Sequence, residues 1–453
     1  MKIAIINPRY PFGKSNVFMS GSVFSITARL LAMGHLVRII DLNLDQLEDL
    51  VVTEWLKGCD VIGISLTGAS YIPRTVCLIT DLHKVAPRSS IILGGQVIEH
   101  LTPEQFRKVF GKNVVQIRNN NDLAKVLNCD PSAIPSPESV SYIPGWKSIG
   151  TDQLATYLRH EGTLVVSQGC KYGCRFCSAR KCQKEQFRSL EKFERDLQYL
   201  CQVARTVGVE QLDFYASSLD FFQNPEQVVK YLEVLVKVQE EHKIRIKVRC
   251  LCGMASFLEA SKIVPDFGSL LKRAGLWCIG FGVDGTDESV WRAQKKRNTM
   301  SDVGQCLNLC NELGIRTEIL MVFGFTEDTG RTLLTTVRTS IILATKWPHV
   351  VLRPYLAKEV VPGNDGWLTK LTTVKQIVND PHLFYNLDYC AIGSSTTHPR
   401  FWHRFFCNIA YLFICTTLTP FGKCVTSPLL PQGESGLYGR LAKFTNHLMP
   451  FDR

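Results

Sequence analysis

Residues 170–177 read Cys-Lys-Tyr-Gly-Cys-Arg-Phe-Cys, a C-x-x-x-C-x-x-C run in which Cys170, Cys174 and Cys177 are the candidate ligands of one inorganic centre. Three thiolates this close, with Gly169 and Gly173 loosening the backbone, can wrap a single cluster but can fill only three corners of a cubane 4Fe–4S centre. The fourth iron is then open to an outside ligand. An open position is what makes a metal site catalytic rather than structural. A zinc site normally takes four ligands, often as two C-x-x-C pairs, and no second pair occurs here. A disulfide framework is equally unsuited: the chain's 17 cysteines are scattered and no secretory signal opens it. Plentiful cysteine with these features leads us to expect a reducing, cytoplasmic setting.

The elements that must position these residues follow from periodicity. Thr163–Val166 is a short apolar strand, and Ser167-Gln168-Gly169 leads from it into the cysteines. From there strand and helix alternate about six times, with strands expected near Thr163–Gln168, Gln211–Ala216, Ile244–Arg249, Trp277–Val283, Thr317–Phe323 and His349–Pro354. Six such units predict a curved, partly closed barrel over 151–366, a partial (β/α)6 form of the TIM-like fold. Its chemistry belongs at the carboxyl ends of the strands, where the cysteine loop lies.

The first 129 residues carry the same α/β alternation: strands at Lys2–Asn7, Leu36–Ile40, Val61–Leu66, Ser90–Leu93 and Val114–Ile117, with a helix over Ser22–Met33 closed by Gly34. This predicts a doubly wound, Rossmann-like parallel sheet. Ligands of such sheets sit beyond the strand carboxyl ends, which selects Asn7, Pro8, Thr67, Gly68, Gly94, Gly95 and Gln96. Residues 130–150, rich in proline and serine without period, read as a linker. Residues 367–453 read as a small, mainly helical cap over the barrel mouth.

Net charge is +11 but diffuse, without the basic stripe of a nucleic-acid binder. No apolar run reaches the length of a membrane span. The longest, Phe405–Leu418, suits a buried helix or one lying on a membrane surface; the buried reading is preferred because no lysine-rich face accompanies it, and peripheral membrane contact is the alternative.

Taken together the residues resemble the radical S-adenosylmethionine enzymes. The matching features are Gln168-Gly169-Cys170, Phe176 just before Cys177, Gly282-Val283-Asp284-Gly285, Gly324-Phe325-Thr326-Glu327-Asp328-Thr329, Arg353-Pro354-Tyr355 and Pro362-Gly363. Asn7-Pro8, Gly34-His35 before a strand ending at Asp41, and Leu93-Gly94-Gly95 resemble the cobalamin-binding subgroup. The resemblance implies that Cys170, Cys174 and Cys177 hold a 4Fe–4S cluster whose open iron chelates S-adenosylmethionine. It further implies that Phe176, Ser217, Ser218, Asp220, Arg249 and Gly324 contact that cofactor, and that Arg249 pairs with its carboxylate. Asn7, Thr67, Gly68, Gly94, Gly95 and Gln96 would then face cobalamin. A flavodoxin or ferredoxin would supply electrons, and the substrate would be a small molecule or peptide.

The implied reaction is methyl transfer to an unactivated carbon. Two departures from the subgroup stand beside it. No Asp-x-His-x-x-Gly loop follows the first strand, Asp81-Leu82-His83 falling instead on a helix. Arg118-Asn119-Asn120-Asn121-Asp122 replaces an acidic glycine-rich turn. The open alternatives are radical oxidation, cyclisation or rearrangement without cobalamin, and a non-catalytic iron–sulfur or zinc binding protein. Methylthiolation is disfavoured because Cys59, Cys77 and Cys129 are not placed at strand ends.

Overall fold

The computed structural model describes residues 1–9, 17–68, 71–99, 101–177, 184–357 and 401–424. These divide into two compact units, one of Met1–Gly162 with Glu191–Val209, the other of Thr163–Leu190 with 210–357 and 401–424.

In the first unit five parallel strands, β1 (Lys2–Asn7), β2 (Leu36–Asp41), β3 (Val61–Ser65), β4 (Ser90–Gly94) and β5 (Val114–Gln116), line up in the order β2-β1-β3-β4-β5. Ile3, Ala4, Ile5 and Ile6 are all buried, as a strand covered on both faces requires. Helices Gly21–Ala32, Leu50–Lys57 and Ile72–Val85 make the crossovers. The order reverses between β1 and β3, so the crevice beyond their carboxyl ends is the topological switch point. Gly95, just past β4, has φ +106°, and a Cβ there would stand 2.3 Å from the Leu66 carbonyl oxygen. Only glycine fits.

The linker expected at 130–150 is instead part of this unit. Pro131–Ala133 and Pro137–Ser139 are 3-10 turns, Ile143–Ser148 is a helix, and Trp146 is buried. The reason is a set of contacts the sequence pattern does not reveal. Tyr142 N–H donates to Asp196 at 2.8 Å, the Ser141 hydroxyl donates to the same carboxylate, and Trp146 stacks on Tyr199 with centroids 6.2 Å apart. Those partners lie on helix Leu190–Thr206, most of which groups here although sequence order assigns it to the barrel. Helix Thr151–Leu158 also belongs here, because the Tyr157 hydroxyl donates to buried Asp41 at the end of β2. The boundary therefore falls at Gly162, not at 151.

The second unit begins at β6 (Gly162–Val165). A short antiparallel pair, β7 (Ser167–Gln168) and β8 (Gln186–Phe187), then closes the base of the cysteine loop. β9 (Gln211–Ser217), β10 (Arg245–Cys252), β11 (Leu276–Gly282), β12 (Arg316–Phe323) and β13 (Val350–Leu356) follow, and the sheet runs β13-β12-β11-β10-β9-β6. Six parallel neighbours in strict sequence order, open between β6 and β13, are a partial barrel. Burial alternates along β9 and β10. Leu212, Phe214, Ala216, Ile246, Val248, Cys250 and Cys252 fill one face, while Tyr215 and Arg249 occupy the other, with the guanidinium 5.1 Å over the tyrosine ring. Of the cap expected at 367–453, the described part is helix Phe401–Leu418 and the turn Thr419–Phe421, packed on helix Gly330–Lys346 and β13. The remainder, like Pro362-Gly363, lies outside the described residues.

Gly275 turns the chain into β11 with φ +81°, where a Cβ would lie 1.9 Å from the Ile246 carbonyl oxygen. Gly275→Ala is expected to destabilise the protein by about 3 kcal/mol, through positive φ and the backbone clash together. A shift in the denaturant midpoint at constant slope checks it.

Candidate active site at the barrel mouth

The described stretch of the cysteine loop, Gly169–Cys177, has no regular structure, so its shape comes from side chains rooted in other strand ends. Gln223, past the end of β9, is 5% exposed and holds the loop at two points. Its Nε2 donates to the Gly169 carbonyl at 3.0 Å, and its Oε1 accepts the Lys171 N–H at 2.9 Å. Lys171 Nζ returns to the Gln223 carbonyl at 2.9 Å. From beyond β11, the Gln294 carbonyl accepts the Arg175 N–H at 3.0 Å, and Gln294 Nε2 donates to Glu327 at 2.9 Å. Arg175 closes this ring with a 2.7 Å ion pair to Glu327. Phe176 packs on Phe325 after β12, centroids 5.4 Å apart.

The three cysteines are half-buried in this frame. Burial first, then nearby Asp220 and the other two thiols, pushes Cys170 up to about 11. Cys174 is raised by burial, with Lys296 opposing. That Cys170 senses both Cys174 and Cys177 places the three sulfurs in one neighbourhood. Among the described residues no three His, Cys, Asp or Glu side chains converge on a single ion. A cubane asks for something else, because each corner cysteine binds a different iron. The donor set, three thiols on a loop closed off from solvent on one side, fits that group.

The other expected site residues are distributed unevenly. Ser217 ends β9 half-buried, its carbonyl accepting the Val166 N–H. Ser218 is buried and accepts from the Ser167 hydroxyl at 2.9 Å. Asp220 is 2% exposed, and its oxygens take the Gly253 N–H at 3.0 Å and the Ser256 hydroxyl at 2.7 Å. Burial raises its pKa against those donors. Tyr172 bonds Ser256 at 2.9 Å, so Asp220 reaches the cysteine loop through one hydroxyl. Gly324 has φ +85°, and its N–H and that of Phe325 both donate to Asp328.

Arg249 lies inside β10 rather than at its end, its side chain one-quarter exposed beside Glu318. Glu318, 3% exposed, is held bidentate by Arg353 at 2.9 Å and 2.9 Å, with Arg249 at 3.7 Å. Pattern reading missed Gln223, Gln294 and Lys296, and gave Glu327 no role beyond its place in the Gly324–Thr329 run. Lys296 sits one turn beyond the loop after β11 and donates to the Gly282 carbonyl at 2.5 Å and to Asp284. The Gly282-Val283-Asp284-Gly285 run could have flagged Asp284, but no local signal marks its partner.

In the first unit the candidate residues gather at one sheet edge. Asn7 ends β1, exposed Thr67 and buried Gly68 follow β3, Gly94 and Gly95 end β4, and Gln96 opens helix Gln96–Glu99. Asp81 lies on helix Ile72–Val85, paired with Lys84 at 3.0 Å, and Asn119 caps helix Asn120–Leu127.

Residues 164–337 match the model of the Radical SAM superfamily. The barrel unit is a radical SAM domain. No curated protein matches the chain in sequence. Among solved structures, the radical S-adenosylmethionine methyltransferase TsrM from Kitasatospora setae, determined with cobalamin and a [4Fe-4S] cluster, is similar at TM-score 0.60 and 16% identity over 78% of this chain and 71% of that one. The cobalamin-dependent S-adenosylmethionine radical enzyme OxsB, determined with aqua-cobalamin and S-adenosylmethionine, is similar at TM-score 0.59 and 16% identity over 98% of this chain. The chain spans 61% of OxsB's length. At such identity these likenesses establish the fold, a Rossmann-like parallel sheet followed by the radical SAM domain.

Burial would raise the Glu318 carboxyl, but Arg353 and Arg249 outweigh it and hold the pKa below the usual value. A depressed carboxylate contributes stability above its unfolded pKa and loses it as pH falls through the folded one. Unfolding free energy should therefore decline below about pH 4.5 more steeply in the wild type than in Glu318→Gln. At neutral pH that variant, leaving two guanidinium groups facing each other, should be less stable by about 3 kcal/mol in chemical denaturation.

Proposed function

We propose that the chain is a cobalamin-dependent radical S-adenosylmethionine enzyme that methylates an unactivated carbon of a small-molecule or peptide substrate, drawing electrons from a flavodoxin or ferredoxin. The observation that carries the reading is the cysteine loop, clamped across the mouth of a six-stranded barrel by groups from beyond β9, β11 and β12. Cys170, Cys174 and Cys177 would hold the cluster. Bound there, a 4Fe–4S centre would supply one-electron reducing chemistry toward S-adenosylmethionine.

The protein's own residues do the rest. Gln223 and Gln294 fix the loop backbone, and Phe176 against Phe325 keeps water from one flank of it. Asp220, Ser256 and Tyr172 tie the loop to the start of helix Met254–Ile263. On the Rossmann-like sheet, Asn7, Thr67 and the Gly94–Gly95 backbone supply amides and a hydroxyl at the switch point, donors that suit the amide-rich rim of a corrin. Both solved structures named above, determined with cobalamin, support this assignment.

Anaerobically reconstituted protein should contain about four irons per chain. With substrate it should yield 5′-deoxyadenosine and S-adenosylhomocysteine together. Cys174→Ala should reduce cofactor cleavage by at least about a thousandfold, to background. 5′-Deoxyadenosine without S-adenosylhomocysteine would reassign the reaction to a radical oxidation, cyclisation or rearrangement, and one zinc per chain would remove the enzyme reading altogether. Gln223→Ala should fold normally yet retain less iron after gel filtration than the wild type, because the loop loses both of its amide tethers.

A further inference from the structure

Helix Phe401–Leu418 has two unlike faces. Cys407, Ala410, Tyr411, Ile414, Cys415 and Leu418 are buried against the barrel unit. The opposite stripe is just as apolar and faces solvent, with Trp402, Phe405, Phe406, Ile409, Leu412 and Phe413 exposed by 65%, 43%, 53%, 46%, 42% and 48%. Three of these rings pack on one another at the surface: Trp402–Phe405 at 5.8 Å, Trp402–Phe406 at 6.4 Å and Phe405–Phe406 at 5.7 Å. The helix against which this one packs, Gly330–Lys346, exposes Leu334 and Ile342 in line with Arg338.

On the two helices themselves the charge has one sign, the nearby Asp328 being buried. Neither helix contains an aspartate or glutamate, and Arg331, Arg338 and Lys346 are exposed on Gly330–Lys346. An aromatic and aliphatic stripe flanked by exposed cations on the neighbouring helix matches a lipid surface carrying anionic headgroups, where rings settle at headgroup depth and Lys or Arg meet phosphate. A protein partner of ordinary composition would present mixed charge. No helix among the described residues is long and apolar enough to cross a membrane, so the contact is peripheral. We propose that the exposed face of Phe401–Leu418, with the basic rim of Gly330–Lys346, docks this protein on anionic membranes. The buried reading preferred from the sequence holds for one face of the helix and fails for the other.

The test is co-sedimentation of the full-length protein with vesicles of phosphatidylcholine alone or with phosphatidylglycerol. Binding is expected to the anionic vesicles and to weaken on raising salt from about 0.1 M to about 0.5 M. Trp402→Ser with Phe406→Ser should lower the partition coefficient at least about tenfold, and Arg338→Gln with Lys346→Gln should do so on anionic vesicles only. Neither pair should move the melting temperature, since the groups are exposed. Wild-type protein that pellets with neither vesicle, or a Trp402→Ser, Phe406→Ser variant that binds undiminished, overturns the proposal. So does a concentration-dependent dimer that these substitutions dissociate, which would make the occupant a second copy. Shielding of Trp402 from acrylamide in the vesicle-free protein, read as the difference from Trp402→Phe, would make it a segment of this chain and overturn it equally.

Discussion

Gln223 is a neutral, buried amide with one donor end and one acceptor end, and both are engaged by the cysteine loop. The rest of the site depends on that engagement. A stretch without helix or strand must satisfy its buried backbone groups some other way, and here Gln223 meets the Gly169 carbonyl and the Lys171 N–H while the Gln294 carbonyl meets the Arg175 N–H. The arrangement also sets the loop's charge balance. A glutamate in place of Gln223 could not donate to the Gly169 carbonyl and would add a negative charge beside three thiols that must ionise to bind iron. The neutral amide does neither.

The same logic accounts for the polar groups under the loop. Asp220 is too deeply buried to be useful as a free charge, and its two oxygens are committed to Gly253 and Ser256. Lower in the barrel Glu318 is committed to Arg353 and Arg249. Both carboxylates are local scaffolding: Glu318 adds a side-chain link between the paired strands β12 and β13, and Asp220 links the segment after β9 to the start of helix Met254–Ile263. Buried ionic groups stabilise weakly in net terms, but removing one partner is severe. They therefore specify the geometry of the mouth more than they raise its stability.

Much of this was legible in the sequence, and for identifiable reasons. A parallel strand buried on both faces is a short run of Val, Ile and Leu, so Lys2–Asn7, Val61–Ser65 and Ser90–Gly94 announce themselves. The cysteines do so through spacing. Contacts between residues far apart in the chain leave no such trace. Asp196 sits in an ordinary amphipathic helix, and nothing near it reveals that Ser141 and Tyr142 will bind it. The proline-rich 130–150 stretch looked like a tether because proline and serine also suit 3-10 turns with their own caps, as at Asp130. Arg249 reads as a strand-end residue because β10 runs three residues further than its pattern suggests, to Cys252.

The open edge of the barrel explains the last element. A partial barrel leaves β13 with unpaired backbone groups, a template for unwanted pairing. The chain covers it with its own later residues: the Leu352 N–H donates to the Lys423 carbonyl at 2.8 Å, and Cys424 bridges Leu352 in parallel. Helix Phe401–Leu418 leads directly into that edge contact, which fixes the helix against β13 and requires its inner face to be apolar. Nothing in that requirement extends to the outer face. Serine, lysine or glutamate there would satisfy the fold as well, and would keep the surface soluble at less risk. A tryptophan and three phenylalanines exposed on that outer face are therefore a feature that barrel closure alone leaves unexplained, and the proposed membrane contact accounts for it.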